Sequence, residues 1–248
     1  MPASRLQNAL PSGTERDVTL DIFRAVAILL VILYHYTARL PVTAFGAAEP
    51  LALPIVFGWV GVYFFFILSG YCIFYTLERT PTIWRFFAKR FSRIYPAFAA
   101  AAILLGSLFE WVNGSFWSIT VELQFYALIG FCAMAIKHSG QMVQFFHRAS
   151  LILTICWLVA FWLGLAFDPA AKAATALRLV LIAPYLPFFA LGVLGAQLAK
   201  GRWYLSRAFK QQILVASLVV FSQAVETSPY IFGPETLMPV LITFWLIV

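Results

Sequence analysis

RAVAILLVILYH, residues Arg24 to His35, is the stretch on which the fold turns. Two basic side chains frame ten residues whose one polar group is the Tyr34 hydroxyl. The stretch sits in a hydrophobic run from about Leu20 to Tyr36, long enough with its flanks to cross a bilayer as a helix. Eleven steps of 100° leave about 20° after three full turns, so Arg24 and His35 share one helix face, roughly 16 Å apart along the axis. Asp21, three residues earlier, joins that face. Ionisable groups are expensive at membrane depth and mark a partner or a cavity. Chemistry is expected on this face.

Composition agrees with a membrane setting. The chain has 248 residues, 62% hydrophobic and 11% charged, with mean hydropathy +0.89. A soluble domain is nearer half apolar and a quarter charged. The 17 Lys and Arg exceed the 10 Asp and Glu, but the basic residues cluster in short loops between apolar spans. That is a topology pattern rather than a nucleic-acid surface, and nucleic-acid binding is excluded. Cys72, Cys132 and Cys156 lie in apolar runs without a repeated spacing, which reads as small buried hydrophobes rather than a disulfide framework or a metal site.

Eight apolar segments follow, at about 19–40, 54–77, 94–112, 116–137, 149–167, 179–199, 211–228 and 236–248. The expected architecture is an all-α transmembrane bundle of seven full spans with a truncated eighth. Residues 1–18 form a cytoplasmic N-terminal segment. Residues 19–248 form one transmembrane domain whose C-terminal helices are missing. A cleaved signal peptide over residues 1–47 fits poorly, because Asp21 and Arg24 interrupt the start of its apolar core. With the N-terminus in the cytoplasm, thirteen basic residues fall inside and three (Arg39, Lys172, Arg178) outside. Helix 1 then runs outward and the fourth segment inward, which places His35 and Glu122 at comparable depth.

Each candidate residue has a plain reading beside a chemical one. His35 is either an interfacial histidine between two tyrosines or a general base, since imidazole titrates near neutrality. Glu122, in WSITVELQFY, is either a polar tie between helices or a catalytic carboxylate, with Ser118 and Tyr126 one turn away on either side. Trp117 can serve as an interfacial anchor alone. Arg85, Lys89, Arg90 and Arg93 precede Pro96 in an amphipathic segment suited to lipid headgroups. Arg90 and Arg93, three apart, could instead grip the phosphates of a cytoplasmic cofactor. Around Ser69-Gly70, small residues amid aromatics suit close helix packing or a break lining a cavity. His138 and His147 read as solvated residues of an inner loop.

Taken together, these residues resemble the acyltransferase-3 family of integral-membrane O-acyltransferases. The matching pieces are LDIFRAVA from Leu20 with Tyr34-His35-Tyr36, GVYFFFILSGY from Gly61, RFSRIYP from Arg90, and WSITVE from Trp117 with Gln124-Phe125-Tyr126. A weaker echo is PFFALG from Pro187. The resemblance implies transfer of an acyl group, often acetyl, from cytoplasmic acyl-CoA (acetyl-CoA) to a hydroxyl of an extracytoplasmic glycan or glycolipid. It implies a bilayer setting, a bacterial inner membrane, and no permanently bound cofactor or metal. His35 would be the essential histidine, with Glu122 catalytic beside it. Asp21, Arg24, Ser69, Arg90, Arg93, Trp117 and Tyr126 would bind donor or acceptor. Two departures stand out: only twenty residues separate Pro96 from Trp117, and the chain stops inside its eighth segment. The rival from another class is a proton- or ion-coupled transporter using the same buried polar residues.

Overall fold

The computed structural model describes residues 18–39, 57–105, 117–136 and 139–231. The expected eighth segment and the N-terminal segment before Val18 lie outside the described residues. Among the described residues the backbone is helical, with no strand. The order is α1 (Val18–Tyr34), running into a widened π-type turn at His35–Arg39, α2 (Val60–Glu78), α3 (Ile83–Leu105), α4 (Trp117–Ala135) and α5 (Ser139–Gly164). Then come α6 (Asp168–Leu181), α7 (Leu186–Leu198), a 3-10 turn at Trp203–Leu205, and α8 (Ser206–Ile231). Helix is the expected solution, because it satisfies every backbone N–H and C=O without water.

Five described helices are long and apolar enough to cross a membrane: α1 with its turn, α2, α4, α5 and α8. The bent pair α6–α7, 41° apart, makes a sixth if it counts as one span. This is a multi-pass membrane protein. Where the sequence suggested one continuous crossing over 179–199, the chain breaks at Ile182–Tyr185. The basic residues before Pro96 belong to the same helix as the apolar residues after it, for α3 runs unbroken through that proline.

The centre of the bundle is the contact between α2 and α7, which run side by side in the same direction. Nearly all of α7 is buried. A Cβ on Gly192 would lie 2.0 Å from the Ile67 carbonyl oxygen, and one on Gly70 2.3 Å from that of Phe189. Only glycine allows this approach, and in lipid such packing replaces the hydrophobic drive between helices. Phe189 then stacks between Phe66 (4.8 Å) and Phe125 (4.0 Å), which brings α4 onto the pair. The expected option of a break near Ser69-Gly70 is not realised; α2 is continuous there.

Helix α1 packs on another side of α2, through Gly58 and Gly61. Cβ atoms there would meet the carbonyl oxygens of Leu30 and Ala27 at 2.2 and 2.5 Å. Of its seventeen residues only Ala27 is buried. His147 is not a loop residue. It lies in α5, its Nε2 bonded to Gln211 Oε1 (3.2 Å) and its Nδ1 to Gln212 Nε2 (2.9 Å), tying α5 to α8.

Candidate active site

Two guanidinium groups converge on one residue of α2. From α1, Arg24 pairs with Asp21 at 3.1 Å and donates from Nη2 to the Cys72 sulfur at 3.0 Å. From α3, Arg90 donates from Nη2 to the Cys72 carbonyl at 3.1 Å and to the Thr76 hydroxyl at 2.6 Å. The i−4 repeat of a helix makes this possible: Thr76 itself donates to the Cys72 carbonyl, so both groups face one flank of α2. Two cations with one adjacent carboxylate leave the site electropositive at the end of the bundle where Arg24 lies.

Arg90 is 7% exposed, whereas Arg85 and Lys89 on the same helix are exposed. The plain reading of the basic run as a lipid-facing segment is compatible with those two and does not fit the buried Arg90. Arg90 is held inward: its guanidinium lies against α2 and 5.7 Å from the centroid of the Tyr126 ring of α4. Arg93 follows one helical turn later, and its side chain lies outside the described residues.

Tyr126 links this pair to the next group. Its hydroxyl donates a short hydrogen bond to Glu122 Oε1, which also accepts from Ser69 Oγ at 3.0 Å. Ser69 and Cys72 stand three apart on α2. Asp21, Arg24, Cys72, Arg90, Tyr126, Glu122 and Ser69 thus form one connected polar path through four helices. Trp117, the first residue of α4, is further out: its ring lies 6.2 Å from Phe66 and 5.3 Å from Tyr185.

His35 is not on that path. Its Nδ1 lies 2.8 Å from the Val31 carbonyl oxygen, one turn back, and its ring meets Tyr34 edge-on at 5.3 Å. A carbonyl oxygen only accepts, so Nδ1 is the donor in this contact, and in the neutral ring the lone pair is on Nε2. The comparable depth expected for His35 and Glu122 is not observed. Tyr34 abuts Gly58, at the start of α2, whereas Glu122 bonds Ser69. From Val60 to Ser69 the helix advances nine residues, roughly 13 Å. The Val31 carbonyl, not Glu122, orients the imidazole.

Sequence reasoning missed two residues here. Cys72, taken for a buried hydrophobe, is half-exposed and touches both arginines. Thr76 was not singled out at all. The available signal was spacing, since Ser69, Cys72 and Thr76 at i, i+3 and i+7 form a polar stripe on an otherwise apolar helix.

The bundle thus carries a histidine at one end of α1 and paired guanidinium groups at the other. A family model described as an acyltransferase domain matches residues 17–248, and the chain belongs to the acyltransferase-3 family. It is also 34% identical over 97 residues to an O-acetyl transferase of Shigella phage Sf6, a match covering 39% of this chain and 28% of that protein. The aligned part therefore spans little more than a quarter of that curated relative. No solved structure matches the chain.

Proposed function

We propose that the protein is a membrane O-acyltransferase that moves an acetyl group from acetyl-CoA, bound at the Arg24–Arg90 end, to a hydroxyl of a glycan or glycolipid at the His35 end. The observation that carries this reading is the His35 ring, whose Nδ1–H is held by a carbonyl so that Nε2 is the basic nitrogen. The hydroxyl oxygen attacks the thioester carbon, forming the C–O bond as the C–S bond breaks. His35 Nε2 takes the hydroxyl proton and returns it to the departing thiolate. A covalent acyl-His35 intermediate gives the same products by two transfers. Arg24, fixed by Asp21 and Cys72, and Arg90, fixed by Thr76 and the Cys72 carbonyl, hold donor phosphates by charge-assisted hydrogen bonds. Glu122 acts on Arg90 through Tyr126, as a positioning residue. Arg93, one turn beyond Arg90, adds a further donor.

The positive-inside count supports a cytoplasmic N-terminus and Arg24 end, as in a bacterial inner membrane, with seven spans and an eighth apolar segment. In this reading residues 1–18 are cytoplasmic and 19–248 form the transmembrane domain. The second reading, a proton-coupled transporter, is disfavoured by family membership. The test uses purified protein in sealed vesicles with acetyl-CoA on the Arg24 side, scored by free CoA thiol and by acetylated glycoside on the opposite side. Thiol release that His35→Ala abolishes supports the reading. Ion flux with no thioester cleavage overturns it.

A further inference from the structure

The break between α6 and α7 builds a second polar place that the acyl-transfer chemistry does not use. Tyr185, at the break, packs 5.6 Å from Phe66, six residues into α2 from Val60, so the irregular backbone lies roughly 9 Å below the start of that helix. Non-helical backbone at such depth persists only where it is buried or lines a wet site. Ile182 adopts φ 46°, a left-handed conformation that a β-branched residue rarely holds and that tends to mark functional positions. Neighbouring helices hold the break in place. Thr154 of α5 donates to the Ala183 carbonyl at 2.8 Å, and Gln124 of α4 to the Leu179 carbonyl at 2.8 Å.

What the break displays is a set of planar polar groups beside aromatic rings. Arg178 Nη1 donates to Glu226 Oε1 at 3.4 Å. Glu226 Oε2 accepts from Gln223 Nε2 at 3.1 Å. Trp117 stands 5.3 Å from Tyr185. Three of these groups are reachable: Trp117 is 41% exposed, and the Arg178 and Glu226 side chains 39% and 44%, while Tyr185 and Gln223 are buried behind them. The set also lies at the His35 end. Tyr63 is 6.3 Å from Tyr185 and 5.6 Å from Trp59, which adjoins Gly58, the residue Tyr34 abuts.

We propose that Trp117, Arg178 and Glu226, backed by the buried Tyr185 and Gln223, form the subsite that holds an uncharged sugar ring of the acceptor, an inference that rests on the acyl-transfer reading. A pyranose has an apolar C–H face that stacks on an indole and vicinal hydroxyls that both donate and accept. A carboxylate and a guanidinium side by side answer those hydroxyls as acceptor and donor. An anionic headgroup would find Glu226 against it. The subsite presents the sugar at the level where His35 Nε2 takes the proton.

The experiment titrates detergent-purified full chain with methyl glycosides of glucose, rhamnose and N-acetylglucosamine, following tryptophan fluorescence, and separately measures CoA release from acetyl-CoA. The expected result is saturable quenching by at least one glycoside. It should weaken roughly tenfold in Glu226→Gln and in Arg178→Gln, the loss of about one well-placed hydrogen-bonded pair. The apparent KM for acetyl-CoA should stay within about twofold of wild type by the same scale, and Lys172→Ala should bind as wild type. No saturable response with any glycoside, or equal binding by both subsite variants, overturns the subsite. Binding with this pattern but no CoA release leaves the subsite standing and removes acyl transfer. Sugar-dependent CoA release that both variants retain at limiting sugar removes the subsite and leaves acyl transfer.

Discussion

Helix α2 has two unlike sides. Towards α7 it is dry: Tyr63, Phe66, Gly70 and Phe74 are buried, and glycines on both helices bring backbone against backbone. Towards α1, α3 and α4 it offers Ser69, Cys72 and Thr76, each hydrogen-bonded to a side chain on another helix or to α2 itself. One side sets the spacing of the bundle, and the other holds charged groups that a membrane interior would otherwise reject. The comparison teaches that the fold and the proposed chemistry share a helix without sharing residues, so they should fail separately.

Four substitutions would break or sharpen that separation. The largest expected effect on rate is at His35. His35→Ala should lower acetyl transfer by about 10² to 10⁴, the usual worth of a positioned general base, while thermal unfolding in detergent stays where wild type unfolds. Retained turnover would remove His35 from the mechanism. Gly192→Ala is the opposite case. Its new Cβ would sit 2.0 Å from the Ile67 carbonyl oxygen, and such overpacking costs about 1–3 kcal/mol or more. The folded fraction recovered from the membrane should fall, with activity per folded molecule intact.

Next comes Arg90→Lys, which keeps the charge but cannot bond the Cys72 carbonyl, the Thr76 hydroxyl and a phosphate with one planar fork. Donor affinity should drop by roughly tenfold, with acceptor affinity unchanged. Arg85→Lys, at an exposed position, should change nothing. An Arg90→Lys protein with wild-type donor affinity would return Arg90 to a purely structural role. The smallest effect is expected for Cys72→Ala. It removes the sulfur that Arg24 contacts but leaves the backbone carbonyl that Arg90 uses. A rise of about two- to fivefold in the KM for acetyl-CoA is the expected scale for one weak hydrogen bond to sulfur. A larger loss would mean that Cys72 does more than anchor Arg24.

The outcome at particular residues shows where a linear reading stops. Arg24 was legible as a cation in need of a partner because a guanidinium on an apolar run cannot face lipid at low cost. Glycine-to-glycine packing was half legible: small residues at Gly61 and Gly70 announce close contact, but not with which helix. The depth assigned to Glu122 went astray because it was counted from helix ends, and helices tilt and stagger by amounts only packing decides. Cys72 escaped notice because a thiol among apolar residues has no pattern of its own until a guanidinium from elsewhere meets it.

Composition and periodicity by themselves determined that this chain is helical and membrane-embedded, since 62% hydrophobic residues in long runs leave the backbone no other way to satisfy its hydrogen bonds. Ordered motifs determined the resemblance that the family match then made plain. Only the tertiary structure decided which ionisable residues meet. Arg24 reaches Cys72 across 48 positions of chain, and Ser69 reaches Glu122 across 53. The break at Ile182 is likewise a tertiary decision. Its strain and its carbonyls without helical partners persist because Thr154 and Gln124, on other helices, supply the hydrogen bonds that the local sequence cannot.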